Sequence, residues 1–227
     1  MRSNPHRRAR LRLRAPGPAK RSHRSRGGPT PLAVCAKTWH KTLLKPAYTI
    51  RLSRGGELHL LPDIERRAAS QFEPWAAELA LTPEILEGTI PLEALHAAND
   101  DGRLWVAADI DDHPVGFALV RELGLFAHLE ELDVLPEHGR QGLGTSLLEA
   151  VCAWAHTRGF AAVTLSTFRD VPWNAAFYGR RGFEAMGRDE LPPELLEIVG
   201  IEEKKGLLTD RRVVMMRRAR PPLARGG

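Results

Sequence analysis

The chain has 227 residues, of which 43% are hydrophobic and 27% charged, a composition typical of a folded globular protein and not of a disordered or fibrous one. No stretch reaches the roughly 18 consecutive apolar residues of a membrane-spanning helix, and the first residues lack the apolar core of a secretion signal, so we expect a cytoplasmic protein. The formal net charge of +5 is distributed very unevenly along the chain.

Residues 1–45 form a basic leader that differs from the rest of the chain. They contain 13 of the 33 Lys and Arg residues and no Asp or Glu. Rich in Pro, Gly and Ser, the leader is predicted to be disordered, and three interpretations stay open: an arm for nucleic acid or another anionic surface, an organelle transit peptide, or sequence upstream of the natural start. Residues 46–227 carry 20 basic and 28 acidic residues, a net charge of −8, which argues against a nucleic-acid groove there.

From residue 48 onward the hydrophobic pattern alternates between the periods of strands and helices, which predicts one domain over residues 46–227. In chain order it predicts a strand over 48–52, helices over 61–72, 83–86 and 91–98, strands over 104–109, 115–122 and 127–134, a long helix from Leu143 to Gly159, a strand over 161–167, a short helix over 174–181 and a strand over 212–216. The polar segment 189–210 is predicted to be a lid or flap. This order predicts an α/β protein with a mixed central sheet and flanking helices.

The most informative segment is the glycine-rich loop between the strand over 127–134 and the long helix. Gly139, Gly142 and Gly144 leave backbone N–H groups unobstructed at a helix N-terminus, where the helix dipole favours anions. The loop is therefore predicted to hold a phosphate or pyrophosphate. It is not a P-loop, because Thr145 stands where that motif requires Lys, and it lacks the third glycine of a dinucleotide-binding loop.

Two motifs in this half of the chain resemble those of the GNAT superfamily of N-acetyltransferases. The first motif follows Val134 and Pro136, and its residues are Arg140-Gln141-Gly142-Leu143-Gly144. It resembles the family's motif A, [QR]-x-x-G-x-[GA]. It departs from that signature at the first position, which falls on Gly139. The second resembles motif B, with Tyr178, Gly182 and Phe183 at the family's spacing. Asn174 opens this second motif nearly one helical turn closer to Tyr178 than is usual.

The resemblance implies the acyl-CoA N-acyltransferase fold, in which the fourth and fifth strands splay apart, and acetyl-CoA as the acyl donor. The residues it implies for binding acetyl-CoA are Leu132, Val134, Gly139, Arg140, Gln141, Gly142, Leu143, Gly144, Thr145 and Asn174. It also implies that Tyr178 protonates the departing CoA thiolate, and a phenol with an ordinary pKa of about 10 can donate a proton at neutral pH.

The general base is left open by the sequence. A lysine-like amine has a pKa near ~10.4 and must lose a proton before it attacks a thioester. The strand over 127–134 offers Glu130, Glu131 and Asp133 besides His128; Glu130 or Glu131 is favoured, His128 comes next, and a water molecule is the alternative. Strict alternation puts His128 and Glu130 on one face of the strand and Glu131 and Asp133 on the other, unless a bulge, which the resemblance implies, re-aims the later side chains.

No metal site is predicted, and no nucleophile lies at the expected thioester position. Cys35 and Cys152 cannot build a disulfide framework or a Cys-rich zinc site, and none of the nine histidines forms a pair with ligand spacing such as H-E-x-x-H. Because Cys152 lies within the long helix, we expect the acetyl group to pass directly from the thioester to the amine.

The sequence thus predicts an acetyl-CoA-dependent N-acetyltransferase that acts on a primary amine of a small molecule. The acidic domain would attract cationic acceptors, which suits an amine. Acetylation of a protein or peptide amine and a non-catalytic acyl-CoA-binding sensor are the alternatives. No membrane partner is expected, and nucleic acid is expected only through the leader.

Overall fold

The computed structural model describes residues 47–219, so the prediction of a disordered leader over residues 1–45 lies outside the described residues. The strands of the described part are β1 (Thr49–Leu52), β2 (Leu104–Ala108), β3 (Pro114–Leu123), β4 (Phe126–Val134), β5 (Ala162–Phe168), β6 (Glu184–Ala185) and β7 (Arg212–Arg218). They form one sheet in the order β1-β2-β3-β4-β5-β7-β6. Only β4 and β5 pair in parallel, which confirms the predicted mixed sheet.

Within residues 47–219, seven α-helices flank this sheet. They are α1 (Leu61–Ala69), α2 (Ala76–Leu79), α3 (Pro83–Glu87), α4 (Leu92–Asp100), α5 (Leu143–Arg158), α6 (Ala175–Gly179) and α7 (Pro193–Lys204). The predicted strands and helices outside the segment 189–210 are present within a few residues of their expected bounds, whereas α2 and β6 were not predicted. Among the helices of residues 47–219, none combines the length and apolar character that crossing a bilayer requires.

The two faces of the sheet carry different helices. On the first face, Trp154 of α5 lies edge-on to Trp105 of β2, with ring centroids 5.5 Å apart. On the opposite face, α7 packs against Val214 of β7, and Phe168 of β5 meets the cluster of apolar side chains around α2 and α3. The fold thus has helices on both sides of one sheet, as an α/β protein requires.

The central feature of the sheet is the divergence of β4 from β5. These strands pair only over residues 126–129 and 162–165. Beyond that point β4 continues its pairing with β3, and β5 continues its pairing with β7. The two strands therefore separate and leave a gap between them, which confirms the predicted splay.

A β-bulge lies at the start of this divergence. Leu119 pairs with Glu131 and the next residue of β3, Val120, pairs with Leu129, so Glu130 is the extra residue on β4. The bulge reverses the alternation, and Glu131 consequently shares a face with His128. Strict alternation, which would separate these two side chains, ends at Leu129, and the bulge that the resemblance implied is confirmed.

The segment 189–210 is not a flap over its main length, because α7 packs there as part of the core. Leu195 is fully buried, and Ile198 and Val199 are buried beside it on the same helical face. Pro193 at the first helical position and Glu194 in the first turn favour the helix start. The flap prediction for this segment is therefore wrong.

Two neighbouring leucines of α7 test this packing. Leu195→Ala is expected to lower the free energy of unfolding by about 2–4 kcal/mol, since it removes buried methyl groups and leaves a cavity. Leu196→Ala is the matched control: Leu196 is 41% exposed, and we expect a change below about 0.5 kcal/mol. Urea denaturation of the full chain measures both. Equal and small effects would show that the segment is loosely attached.

Candidate active site

The glycine-rich loop ends in an uncapped helix N-terminus. Gly142 is the N-cap of the 16-residue helix α5 and has a φ of 86°, in the left-handed region that glycine tolerates best. No side chain caps the helix and its first turn contains no acid, so the first backbone N–H groups are available to an external anion. A Cβ atom on Gly139 would lie 2.9 Å from the carbonyl oxygen of Pro136, which only glycine avoids.

A side chain that sequence reasoning missed, Arg181, joins this loop to α6. Its Nε donates to Thr145 Oγ1 at 2.9 Å, one terminal nitrogen donates to the Phe177 carbonyl at 2.7 Å, and the guanidinium carbon lies 3.6 Å from the centroid of the Phe177 ring. Phe177 lies beside Gly144, where a Cβ would make an ordinary van der Waals contact at 3.5 Å. Arg181 thus fixes the first turn of α5 against α6.

The edge of β4 that faces the gap carries backbone donors that no neighbouring strand uses. Leu135 N–H donates to the Val115 carbonyl of β3 at 2.9 Å, so by alternation the N–H groups of Leu132 and Val134 point toward the gap. The Leu132 N–H donates to Glu131 Oε1 at 3.3 Å. A carbonyl oxygen placed in the gap could accept a hydrogen bond from this edge.

The two predicted base candidates lie in different surroundings. Glu130, at the bulge, is paired with Arg121, whose Nε lies 3.1 Å from Glu130 Oε2. Glu131 projects to the face that carries α1, and burial raises the pKa of its carboxyl to about 7. A carboxylate with this pKa is matched to accepting a proton near neutral pH, whereas Glu130 is held in an ion pair.

Tyr178 lies close enough to Glu131 for their charges to interact. Its ring packs edge-on against Phe177 and Phe183, with centroids 5.0 and 5.8 Å away. Burial raises the pKa of the Tyr178 hydroxyl well above its ordinary value, and the nearby carboxylates of Glu131 and Asp133 raise it further. The phenol is therefore protonated at neutral pH and can act as a proton donor.

Two other predicted candidates are placed less favourably. The Asn174 side chain caps nothing, although its backbone carbonyl accepts from Phe177 N–H at 2.8 Å at the start of α6. His128 is buried in the paired half of the sheet, where its Nδ1 lies 3.1 Å from Thr164 Oγ1. Burial lowers the pKa of His128 to about 4, so its ring is neutral at pH 7. His128 lies in the part of β4 that still pairs with β5, before the gap opens.

Two further acids accompany Glu131 on the same face. Glu65 of α1 accepts from Ile90 N–H at 2.9 Å, and burial, together with the charge of Glu131, raises its pKa to about 8. Burial, followed by the charges of Glu131 and Glu65, raises the pKa of Asp133 well above its ordinary value. The sequence offered one signal for Glu65: it stands four residues after the buried Leu61, on the apolar side of α1.

One group of potential metal ligands occurs among the described residues, at the turn between β2 and β3. Ligand atoms of Asp109, Asp111 and His113 lie within 4.8 Å of one another. Asp109 Oδ1 already accepts the backbone N–H groups of Asp111 and His113, which explains the arrangement as a turn. The prediction of no metal site stays a prediction.

The chain matches the model of the Acetyltransferase (GNAT) family over residues 65–183, slightly more than half of its length. The chain belongs to the GNAT family. It is an acetyl-CoA-dependent N-acetyltransferase, as the sequence predicted, and the matched region includes β4, the glycine-rich loop and α6.

Individual relatives agree with this assignment. The chain is 27% identical over 120 residues to "Peptidyl-lysine N-acetyltransferase YjaB" of Salmonella typhimurium, a match that covers 52% of this chain and 77% of the relative. The PaiA N-acetyltransferase of Thermoplasma acidophilum, solved with coenzyme A, superposes with a TM-score of 0.56 at 17% identity, covering 76% of this chain and 99% of that one. The Escherichia coli ribosomal-protein-S18-alanine N-acetyltransferase superposes with a TM-score of 0.51 at 19% identity. That match covers 79% of this chain and 99% of that one.

The raised pKa of Glu65 has a consequence for stability. Because the folded state keeps the proton on Glu65 up to about pH 8, this group stabilises the fold at low pH, and that contribution is lost as the pH rises from about 4.5 to about 8. Glu65→Gln keeps an acceptor for Ile90 N–H and does not titrate. We expect the wild type to lose about 3 kcal/mol relative to this variant between about pH 5 and pH 8.

Urea denaturation at several pH values measures this difference. Asp63→Asn, which changes an exposed carboxylate on the same helix, is the control and should run parallel to the wild type. Parallel curves for Glu65→Gln and the wild type would contradict the electrostatic account of Glu65.

Proposed function

We propose that this protein transfers the acetyl group of acetyl-CoA directly to a primary amine of a small molecule. The observation that carries the proposal is the meeting of Glu131, a buried carboxylate with a pKa of about 7, and Tyr178, a protonated phenol, at the gap between β4 and β5. One can take a proton from the amine and the other can return one to the thiolate.

In this proposal the donor binds along the gap and the glycine-rich loop. The free N–H groups at the start of α5, from Leu143 to Thr145, hold the pyrophosphate of acetyl-CoA, and Gly139, Arg140, Gln141 and Gly142 shape the turn before them. The pantetheine arm lies beside Leu132 and Val134, whose N–H groups face the gap, and passes Asn174 at the start of α6. The thioester then lies between β4 and Tyr178.

The proposed reaction needs one proton acceptor, one proton donor and one carbonyl-polarising group. Glu131 takes a proton from the acceptor ammonium, and the neutral nitrogen attacks the thioester carbonyl carbon. The Leu132 N–H moves from its acceptor Glu131 Oε1 to the oxyanion that forms and stabilises it. When the carbon–sulfur bond breaks, the Tyr178 hydroxyl protonates the thiolate, and the nitrogen gives up its second proton, which restores the Tyr178 hydroxyl. Glu131 releases the first proton to solvent, and the products are an amide and coenzyme A.

Direct transfer is supported by the position of the described cysteine. Cys152 lies on α5, and burial raises the pKa of its thiol to about 12, so it is not a thiolate at neutral pH. Cys152 is therefore not an activated nucleophile on which an acetyl-enzyme intermediate could form.

A small acceptor is supported by the enclosure of Glu131. The charge of Glu131 acts on Glu65 of α1, and the charges of Lys205, after the end of α7, and Arg212 of β7 act on Glu131, so residues of three elements surround this carboxyl. Arg212 is itself fixed by Glu202 of α7, with an N–O distance of 2.6 Å. A short, flexible amine enters such a space more readily than the surface of a folded protein.

The neighbouring carboxylates Glu131 and Glu130 form a matched pair for testing the base. With a primary amine as acceptor, Glu131→Gln is expected to lower kcat by roughly 100-fold or more, because it removes the general base. Glu130→Gln should keep most of the activity, since Glu130 is occupied by Arg121. The wild-type kcat should rise with pH through an inflection near 7 that Glu131→Gln lacks.

Three other results would each contradict one part of the proposed function. Loss of activity in Glu130→Gln with normal activity in Glu131→Gln would overturn the assignment of the base. With both substrates varied, double-reciprocal lines should intersect, whereas parallel lines would indicate an acetyl-enzyme. Binding of acetyl-CoA without acetylation of any amine would identify an acyl-CoA sensor.

A further inference from the structure

Three carboxylates meet on the sheet face covered by α1, and a single general base does not account for them. Glu65 lies on α1, while Glu131 and Asp133 project from β4 on one side of the bulge. Besides burial, the charge of Glu131 raises the pKa of Glu65, and the charges of Glu131 and Glu65 raise the pKa of Asp133. A reaction that needs one proton acceptor leaves two of these acids without a role.

Asp133 is the member of this group with an oxygen atom that lacks a hydrogen-bond donor among the described residues. Its Oδ2 atom is closed off from solvent and has no hydrogen-bond partner within residues 47–219. A buried carboxylate oxygen without a donor is costly, because it has lost its water without gaining a partner. The unpartnered oxygen therefore points to a ligand that brings hydrogen-bond donors.

Residues 47–219 supply no ion-pair partner to these acids: none of their ion pairs includes Glu65, Glu131 or Asp133. Of the cations whose charges act on these acids, Arg212 is paired with Glu202, and Lys205 acts on Glu65 and Glu131 without an ion pair to any of the three. The missing donors are therefore expected to come from a ligand, and a cationic ligand would be held most strongly, because charge-assisted hydrogen bonds are the stronger ones.

The spacing of the acids favours an extended cation over a metal ion. Their oxygen atoms do not come within 4.8 Å of one another as a group, unlike those of Asp109, Asp111 and His113. Along a strand, two residues that share a face are roughly 7 Å apart, as for Glu131 and Asp133. A short alkyl chain with an amine at each end spans such a distance.

We propose that the acceptor is a diamine or a longer polyamine, bound through two of its nitrogens. This inference rests on the proposed function: one nitrogen loses its proton to Glu131 and is acetylated, and a second stays an ammonium held by Glu65 and Asp133. A monoamine becomes neutral when it gives up its proton and has no second ammonium to donate to Glu65 and Asp133. The diamine keeps one charge throughout the reaction, and its N–H groups satisfy Asp133 Oδ2.

The test compares acceptors that differ only in the second nitrogen. With the full chain and acetyl-CoA, kcat/KM is measured for diaminobutane against butylamine and for diaminooctane against octylamine. Charge-assisted hydrogen bonds to the second ammonium should favour at least one diamine over its monoamine by roughly 10- to 100-fold. Asp133→Asn and Glu65→Gln should bring this ratio close to one, whereas Asp63→Asn, an exposed carboxylate on α1, should leave the ratio as it is.

The outcomes separate this inference from the function on which it rests. Acetylation of both members of each pair with equal kcat/KM would overturn the diamine assignment and leave the proposed transfer to a small amine standing. Acetylation of no amine would overturn the proposed function itself. A preference that Asp133→Asn, Glu65→Gln and Asp63→Asn all reduce equally would show long-range attraction by the acidic domain instead of a binding site.

Discussion

The separation of β4 from β5 after Leu129 and Leu165 is the constraint on which the rest of the site depends. A parallel pair that continued would use the backbone N–H groups of Leu132 and Val134 within the sheet. Because β4 stays paired with β3 and β5 with β7, the two strands can separate and remain part of the sheet. The edge of β4 at the gap therefore keeps backbone donors that no strand uses. Buried backbone donors need partners, so this edge is prepared for a ligand with acceptors of its own. The bulge at Glu130 marks the start of the divergence and turns Glu131 toward α1.

In the same region, the raised pKa values that suit catalysis also lower the stability of the fold at neutral pH. The carboxyls of Glu65, Glu131 and Asp133 have raised pKa values because they are buried close together, and charging them as the pH rises costs folding free energy. That cost is also what brings Glu131 to a pKa at which it can accept a proton at neutral pH. A cationic acceptor would relieve the repulsion when it binds, which links the stability of the site to its substrate.

Features that depend on neighbours in the chain could be predicted from the sequence, and features that depend on tertiary contacts could not. The glycine-rich loop, the helix that follows it and Tyr178 were found because a local motif specifies them, and the core strands follow from their apolar runs. The lid assigned to 189–210 was wrong because charged residues outnumber the apolar Leu195, Ile198 and Val199, whose helical spacing was the available signal. The position of the bulge and the contact of Arg181 with Thr145 depend on strand pairing and on the packing of α6, which no local pattern encodes.

The central claim, that the loop before α5 and the adjoining gap hold acetyl-CoA, is tested most directly by isothermal titration calorimetry with two glycine variants. Gly142 and Gly159 stand at opposite ends of α5 with φ values of 86° and 82°, so alanine strains the backbone by about 1–2 kcal/mol at either position. Only Gly142 adjoins the loop. We predict that Gly142→Ala binds acetyl-CoA roughly tenfold or more weakly while Gly159→Ala binds as the wild type does. Equal affinity in the two variants would contradict the account.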